Sequence, residues 1–462
     1  VWNSATHVRN TDRYKREHDA SVQPYVWFGG PYKGLAFLRN TMRDWSVSWE
    51  KPTERIVRRN GAAVLEADFV SKETVWQGKK TFTMGFQPTP VKPREWNCAA
   101  FAFHMYNYTC PSNAVGMWCM SHSGQLGVLR HTDNCVYPNN DTSLRDWAFA
   151  AKKKDRAAYL KKLDEYIARN AEWFKREGKG LTAASYRESL INSDRQMGLR
   201  FHFYYMDPCL ISCHWPEFEM YKGDWYVEGW PRENLCNEYL GRPAPSRIDK
   251  ILYDGRRALR SGFDGIYYDC FMLQGDYNFA STGGRAFFAA DGTLHPQLGN
   301  MMEWRDLVKR TATMSYVEGK KVFGKGYCEV HTTDGHVVPV NSFGVNALGT
   351  ERGFQGGDFQ DRFSEGYVLA DVIGTQSGAA PRIIVATSVG DEKRKERELK
   401  SLMGFMCAYG IFSLEDEGTI YRPWFEKAWN IVFDFGWGRE DVTPHYYFDE
   451  TPAPVTHTGK DA

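Results

Sequence analysis

Short runs of alternating apolar and polar residues mark the first 95 residues of the chain. In one of them, polar Glu66 and Asp68 alternate with apolar neighbours, as in a strand that buries one face. The runs are rich in β-favouring residues and end at glycine, proline or polar turns, and they predict strands at 25–28, 62–69 and 81–86. Residues 1–95 are therefore expected to form an antiparallel β-sandwich region, with the proline-containing segment 89–93 as its exit.

The pattern changes after residue 98, where short apolar runs alternate with longer amphipathic ones. Helices are predicted at 143–176, 246–260, 301–318 and 398–408, and strands at 99–106, 199–206, 263–270, 321–330, 342–348, 383–386 and 411–414. Strands that alternate with helices are typical of parallel βα units. The predicted fold class is α/β: a (β/α)8 TIM-like barrel over residues 96–445, preceded by an incomplete antiparallel β-sandwich region and followed by a tail at 446–462.

Charge and hydropathy exclude several kinds of partner. The formal net charge is +1, so no long-range field favours nucleic acid or an anionic membrane surface. The sequence has no apolar run of about 18 residues, the length that a membrane-spanning helix needs. We therefore expect neither nucleic acid nor a membrane as a partner.

Aromatic and cysteine residues narrow the chemistry further. Aromatic residues make up 15% of the chain, which suits a protein that stacks planar side chains on sugar rings, and equally a large aromatic-rich core. The ten cysteines show no spacing typical of a zinc site. The expected partner is a carbohydrate, and no metal or cofactor is predicted.

The predicted strand 263–270, FDGIYYDC, ends in an acid. Three β-favouring residues precede Asp269, and a glycine-containing loop follows it. In a βα barrel the carboxyl ends of the strands carry the active site. Asp269 is therefore a candidate catalytic residue, and the alternative is that it caps the next helix or holds a loop.

Other predicted strands also end in polar or ionisable residues, which favours a barrel enzyme. A pair of carboxylates on facing strands suits cleavage of a glycosidic bond, because one group protonates the leaving oxygen and the other attacks or stabilises the anomeric carbon. The catalytic candidates are Asp269, Glu351 and Glu329; the predicted substrate-binding residues are Tyr268, His104, His331, Asp207 and Asp416.

The loop that follows the strand at 199–206 is rich in aromatic residues. Trp215 and Trp225 are the predicted sugar-facing side chains in it, because substrate walls are often built from such loops at strand ends. The alternative is a loop that packs on itself.

Four segments resemble secreted bacterial proteins related to glycoside hydrolase family 123. They are 30–45 (GPYKGLAFLRNTMRDW), 82–93 (FTMGFQPTPVKP), GIYYDC around Asp269, and 303–310 (EWRDLVKR). The resemblance implies a β-sandwich followed by a TIM-like barrel, and a secreted or periplasmic bacterial protein. It also implies removal of β-linked N-acetylgalactosamine, with an adjacent Asp-Glu pair in which Asp orients the acetamido group and Glu is the acid/base.

This sequence departs from that pair, because Cys270 follows Asp269. Glu351 or Glu329 would then supply the acid/base from another strand. The first hypothesis is a glycoside hydrolase that cleaves a complex glycan at N-acetylgalactosamine or a related sugar. The alternative is a non-catalytic carbohydrate-binding protein that keeps the barrel.

The N-terminal strands look too few to close two sheets over the tryptophans that they carry. An uncovered apolar sheet face is unfavourable in water. We therefore expect an upstream fragment of the same protein, or a second copy of the chain, to cover the sheet around Trp27, Trp45 and Trp76.

Overall fold

The computed structural model of this 462-residue chain describes two stretches, most of 25–93 and most of 203–415. The described residues are 2–3, 25–39, 44–46, 53–93, 203–206, 208–212, 217–232, 238–261, 265–271, 275–276, 287–288, 292, 294–295, 297–298, 300–319, 321–322, 325–332, 336–352, 361, 363–372, 374–385 and 392–415, with single positions near 157–171 and at 431, 435 and 445. The predicted strand at 99–106 and the tail at 446–462 lie outside them. Of the predicted helix 143–176, the described positions between 157 and 171 are helical.

The described part of the N-terminal region contains six strands. They are β1 (Trp2–Asn3), β2 (Tyr25–Gly29), β3 (Gly34–Arg39), β4 (Glu54–Arg59), β5 (Ala62–Ala67) and β6 (Met84–Thr89). One antiparallel sheet has the order β1-β2-β3-β6, and β4 pairs with β5 in a hairpin. The strands predicted at 25–28 and 62–69 are confirmed, and the one predicted at 81–86 begins three residues later, at Met84. No strand was predicted at β1, β3 or β4.

The β4–β5 hairpin turns at Asn60 and Gly61, both of which have positive φ, +49° and +82°. Two-residue turns with positive φ at both positions match the twist of the flanking strands, and Asn-Gly is their preferred sequence. This turn brings Arg55 and Arg59 of β4 against Glu66 of β5 at the exposed side of the hairpin.

Each face of the N-terminal sheet packs against other parts of the chain. Phe37 of β3 packs with Trp45, Phe69 and Phe82 and with the apolar side chains of β5. On the other face, Tyr25, Trp27 and Leu38 join the main hydrophobic cluster, which continues into the C-terminal half. Trp27 is 1% exposed and Trp45 is 6% exposed. These two tryptophans are therefore buried by the chain itself, whereas Trp76 is 41% exposed, and the expected upstream fragment or second copy stays a prediction.

The C-terminal stretch alternates strands with helices. The strands are β7 (Phe203–Met206), β8 (Leu210–Ser212), β9 (Tyr226–Arg232), β10 (Glu238–Gly241), β11 (Gly265–Phe271), β12 (Gly275–Asp276), β13 (Phe287–Phe288), β14 (Leu294–His295), β15 (Gln297–Leu298), β16 (Lys321–Val322), β17 (Lys325–Thr332), β18 (Asn346–Arg352), β19 (Ala380–Val385) and β20 (Phe412–Glu415). The helices are α1 (Phe218–Trp225), α2 (Pro245–Ser261), α3 (Met301–Glu318), α4 (Val338–Asn341), α5 (Glu365–Tyr367), continued by a π-helical turn at Val368–Val372, and α6 (Glu392–Tyr409).

Six of these strands form one parallel sheet in the order β7-β11-β17-β18-β19-β20. The spatial order is the order along the chain, as it is in a βα barrel and as it is not in a doubly wound sheet. The predicted parallel α/β arrangement is confirmed. Helix α3 spans the predicted residues, and α2 extends the predicted helix by one residue at each end.

The clearest error concerns 342–348, where one strand was predicted. Residues 342–345 instead follow α4 as a turn, and the predicted strand is present only over 346–348, because β18 begins at Asn346. Pro339 occupies the first turn of α4, where its missing N–H is no loss. All four residues of α4, which precedes the predicted strand, are buried.

The N-terminal sheet and the parallel sheet are joined through α3 and α4. Ala36 and Leu38 of β3 share one hydrophobic cluster with Met301 and Trp304 of α3. The Lys92 ammonium donates to the Gly344 carbonyl oxygen (2.8 Å), and the Val91 amide donates to the carbonyl oxygen of Gln376 (3.0 Å). These contacts cross the predicted boundary at residue 95, which stays a prediction.

Candidate active site

The two central strands of the parallel sheet have chemically different faces. Ile266 and Tyr268 of β11 and Cys328 and Val330 of β17 pack in the apolar cluster with α2 and α3. Because side chains alternate along a strand, the opposite face carries Tyr267, Asp269, Tyr327, Glu329 and His331. These five polar residues lie on the face of the sheet that turns away from the helices. This face is therefore the candidate active site.

Asp269 and His331 are in direct contact on this face. The His331 Nδ1 atom is 2.5 Å from Oδ1 of Asp269. The Tyr267 hydroxyl lies 3.2 Å from the same nitrogen and 3.5 Å from Oδ1 of Asp269. The Asp269 side chain is 13% exposed and that of His331 is 2% exposed. An imidazole N–H that donates to one carboxylate oxygen orients the carboxylate. His331 therefore orients Asp269, and Asp269 is the member of the pair that reaches solvent.

Glu329 lies on the same face, one strand away from Asp269 and deeper along the sheet. It pairs in register with Tyr267, two residues before Asp269. Its Oε2 atom accepts a hydrogen bond from the Tyr327 hydroxyl at 2.7 Å, and both residues are fully buried. Tyr327 is thus a protein partner of the Glu329 carboxyl group, and the catalytic role of Glu329 stays a prediction.

Glu351 lies near the carboxyl end of β18, the strand next to β17. It pairs with Ile384 just after an irregularity in the β18–β19 register. β18 is two strands from β11, and neighbouring strands are about 4.8 Å apart, so the two backbones are separated by about 10 Å. Glu351 therefore belongs to the same edge of the sheet as Asp269.

Tyr268 does not belong to this site. It lies on the helix-covered face of β11, is fully buried, and its hydroxyl is 2.6 Å from Oγ1 of Thr311 on α3. The Thr311 hydroxyl donates to the Leu307 carbonyl oxygen, so Tyr268 is the donor in this pair. Burial raises the pKa of Tyr268 above its usual range. Its position as the neighbour of Asp269 in sequence was misleading, because adjacent residues of a strand point to opposite faces.

Trp225 also has a packing role. It ends α1, is 2% exposed, stacks on Tyr221, and donates from Nε1 to the Ser246 hydroxyl at 2.9 Å. The connection that contains it is a small unit of β8, β9, β10 and α1, held by the buried Arg247, which donates to the Leu210 carbonyl oxygen at 2.8 Å. For Trp225 the alternative reading, a loop that packs on itself, is the correct one.

Four predicted substrate-binding residues lie outside the described part of the chain. They are His104, Asp207, Trp215 and Asp416. Their roles stay predictions.

Two residues of the site were missed from the sequence, Tyr267 and Tyr327. The period of two along each strand could have found both, because Tyr267 is two residues before Asp269 and Tyr327 is two residues before Glu329. Within the described ranges, no group of three or more His, Cys, Asp or Glu side chains could hold a metal ion. Among the helices described there, none is long and apolar enough to span a membrane.

No protein-family model matches the chain, and no curated protein matches it, so the resemblance to glycoside hydrolase family 123 is not confirmed. Similar solved structures include an alpha-galactosidase from Thermus thermophilus in complex with stachyose, which is 13% identical over 90% of this chain and 74% of that chain, with a TM-score of 0.29. The same enzyme with p-nitrophenyl alpha-D-galactopyranoside gives 13% identity over 91% and 76%, with a TM-score of 0.33. A Paenibacillus sp. cycloisomaltooligosaccharide glucanotransferase complexed with cycloisomaltoheptaose is 12% identical over 78% of this chain and 51% of that chain, with a TM-score of 0.31. With TM-scores near 0.3, these similarities define neither a family nor an activity for this chain.

Proposed function

We propose that the protein is a glycoside hydrolase whose parallel strands close into a βα barrel, and that Asp269 is its principal reacting carboxylate. The observation that carries the proposal is the polar face of β11 and β17. There Asp269 reaches solvent at the carboxyl end of its strand, and it is held by the buried His331. Active sites of βα barrels lie at this edge.

Hydrolysis needs a second carboxyl group to protonate the leaving oxygen. We assign this role to Glu351, because its strand is about 10 Å from that of Asp269 and the two carboxyl groups of glycosidases are separated by about 5–10 Å. Asp269 would either attack the anomeric carbon or orient an acetamido group of the substrate. The proposed substrate is a complex glycan with N-acetylgalactosamine or a related sugar, and the proposed location is outside the bacterial cytoplasm.

A panel of aryl glycosides and complex glycans tests this function. On a substrate that wild-type protein hydrolyses, Asp269→Asn should lower turnover by several orders of magnitude, because an amide neither attacks nor carries a full charge. Asp306→Asn on the exposed surface of α3 is the matched control and should leave turnover unchanged. A near-native rate for Asp269→Asn rules out the assigned role.

The variant Glu351→Gln tests the role of Glu351 independently of the role of Asp269. A missing general acid should reduce hydrolysis of substrates with poor leaving groups far more than hydrolysis of activated aryl glycosides. Glu396→Gln, on the exposed surface of α6, is the control. Equal losses on both kinds of substrate would move the role away from Glu351.

A non-catalytic carbohydrate-binding protein is the second candidate. The observation in its favour is Cys270, which follows Asp269 where the family-123 resemblance leads one to expect an acid/base glutamate. This candidate predicts that the wild-type protein binds a glycan from the panel, measured by calorimetry, and releases no sugar from it.

A further inference from the structure

Trp76 is an exposed aromatic side chain in a long connection of the N-terminal region. Residues 71–83 join the β5 hairpin strand to β6 without a helix or a strand. Ordered connections of this length in compact regions are uncommon and usually functional. Trp76 is 41% exposed in this connection and its neighbour Val75 is 84% exposed, so the tryptophan presents a large apolar surface to water.

The indole ring of Trp76 is fixed in place. Its Nε1 atom donates to the Ser46 hydroxyl oxygen at 2.9 Å, and the Ser46 hydroxyl lies 3.4 Å from that of Thr74. Phe82 packs against the ring, with centroids 5.7 Å apart, and connects it to the buried Trp45 and Phe69. A ring held by its N–H and supported from inside loses little conformational entropy when a ligand stacks on its exposed side.

Two polar side chains are held close by: Lys80 belongs to the segment 71–83, and Asp44 lies two residues before Ser46. Asp44 accepts a hydrogen bond from the Thr81 amide at 3.0 Å, and its carboxylate is 3.6 Å from the Lys80 ammonium. The side chains of Asp44 and Lys80 are both about a quarter exposed. Ligand sites combine aromatic surface with a few fixed polar groups, and this region offers both.

We propose that Trp76 is the platform of a second carbohydrate-binding site, in which the apolar face of a pyranose ring stacks on the indole and sugar hydroxyls meet Asp44 and Lys80. The class of ligand rests on the proposed function. The site is distinct from the candidate active site, because the N-terminal sheet, α3 and the parallel sheet lie between them. With layers about 10 Å apart, the separation is on the order of 30 Å.

The site should bind the polymeric substrate without taking part in bond cleavage. Removal of the indole should therefore weaken binding to long glycans and leave hydrolysis of a small aryl glycoside unchanged. Native affinity gels that contain gastric mucin, chondroitin or dextran measure the first property on the full chain. The wild-type protein should be retarded in at least one gel, and Trp76→Ala should raise its dissociation constant there by about tenfold.

Two further variants control this comparison. Trp76→Phe keeps an aromatic face and should keep part of the retardation. Val75→Ala removes the more exposed apolar neighbour and should behave as wild type. Absence of retardation of the wild-type protein in all three gels, or equal retardation of wild type and Trp76→Ala, overturns the proposal.

A measurement on the wild-type protein does not depend on how the variants fold. Oxidation of Trp76 by N-bromosuccinimide, followed by peptide mass spectrometry, should slow when the retarding glycan is added. An unchanged oxidation rate contradicts the site. If the glycosidase proposal fails, the wild-type protein will hydrolyse no glycoside in the panel. The gel and oxidation experiments test the role of Trp76 independently of that result.

Discussion

Among the five residues on the polar face of β11 and β17, Asp269 is the one whose side chain reaches solvent, and the neighbouring His331 and Glu329 are almost or fully buried. This difference assigns them different tasks: Asp269 can meet a substrate, whereas His331 can hold Asp269 in place. The strand-end position of Asp269 was visible in the sequence. Its contact with His331 was not, because that contact depends on the register between β11 and β17, which single-chain patterning does not define.

His336 makes stability depend on pH. It is buried just after β17, and burial lowers its pKa from 6.5 to about 4. As the pH falls below about 6.5, the unfolded chain takes up a proton that the folded chain does not bind until about pH 4. The folded protein should therefore lose up to about 3 kcal/mol of stability across this window, and stability should rise again as the pH is raised.

Denaturant unfolding at pH 7 and at pH 4.5 measures this dependence. His336→Gln should be less sensitive to pH than wild type, because it removes the titrating group. The exposed His445→Gln is the matched control and should retain the wild-type dependence. An identical pH dependence in wild type and His336→Gln would show that the proton uptake occurs elsewhere.

At the scale of elements, the two faces of β11 have different roles. One face carries candidate site residues, and the other packs against helices. Tyr267 and Tyr268 are neighbours in sequence, yet one lies beside His331 and the other bonds to α3. We predict that Tyr267→Phe lowers turnover with little change in stability. Tyr268→Phe should cost about 1 kcal/mol of stability and leave turnover unchanged. Thermal unfolding and steady-state kinetics on both variants check this, and the reverse pattern would mean that the faces are wrongly assigned.

The β4–β5 hairpin offers a second contrast, between a buried and an exposed ion pair. Glu54 contacts the fully buried Arg39, whereas Glu66 contacts Arg55 and Arg59 at the surface. Glu54→Gln should cost about 3 kcal/mol or more, because it leaves a buried guanidinium charge uncompensated. Glu66→Gln should cost less than about 1 kcal/mol. Urea unfolding of the two variants gives the comparison, and similar losses would argue against the buried pair as a stabilising contact.

Each element could be predicted from the sequence only as well as its local pattern of apolar and polar residues was pronounced. Helix α3 was predicted to the residue, since it has a long amphipathic repeat. The β4–β5 hairpin was half missed although Asn60-Gly61 signals it, because β4 is mostly charged and lacks an apolar face. The strand predicted at 342–348 began four residues too early, because the apolar pattern does not mark the end of the turn at 342–345. The role of Trp225 was settled only by the tertiary contacts of its loop.

On the scale of the whole molecule, the N-terminal sheet and the parallel sheet share one apolar cluster through α3 and α4. At this junction Gly378 has a positive φ of +71°, and a Cβ atom there would lie 2.4 Å from the Lys92 carbonyl oxygen. The junction therefore leaves no room for a side chain at this position.

We predict that Gly378→Ala destabilises both regions together by about 2 kcal/mol or more, because both the backbone strain and the close contact oppose the substitution. Gly404→Ala in α6, where a Cβ atom would meet nothing within 4 Å, is the control and should be neutral or slightly stabilising. Hydrogen exchange of the β3 and β17 amides should increase in parallel in Gly378→Ala. Faster exchange confined to one of the two strands would show that the regions unfold independently.

The distance along the chain between the partners at this junction has a consequence for synthesis on the ribosome. Tyr25 accepts a hydrogen bond from the Val338 amide, and Lys92 bonds to Gly344, 252 residues further along the chain. At about 5–20 residues per second, the sheet that carries Tyr25 and Trp27 waits roughly 10–50 s for the surface that will bury it. Each parallel strand, in contrast, pairs with the one made just before it. Among the elements that the structure describes, the nascent N-terminal sheet is therefore the one whose apolar face stays exposed longest during synthesis.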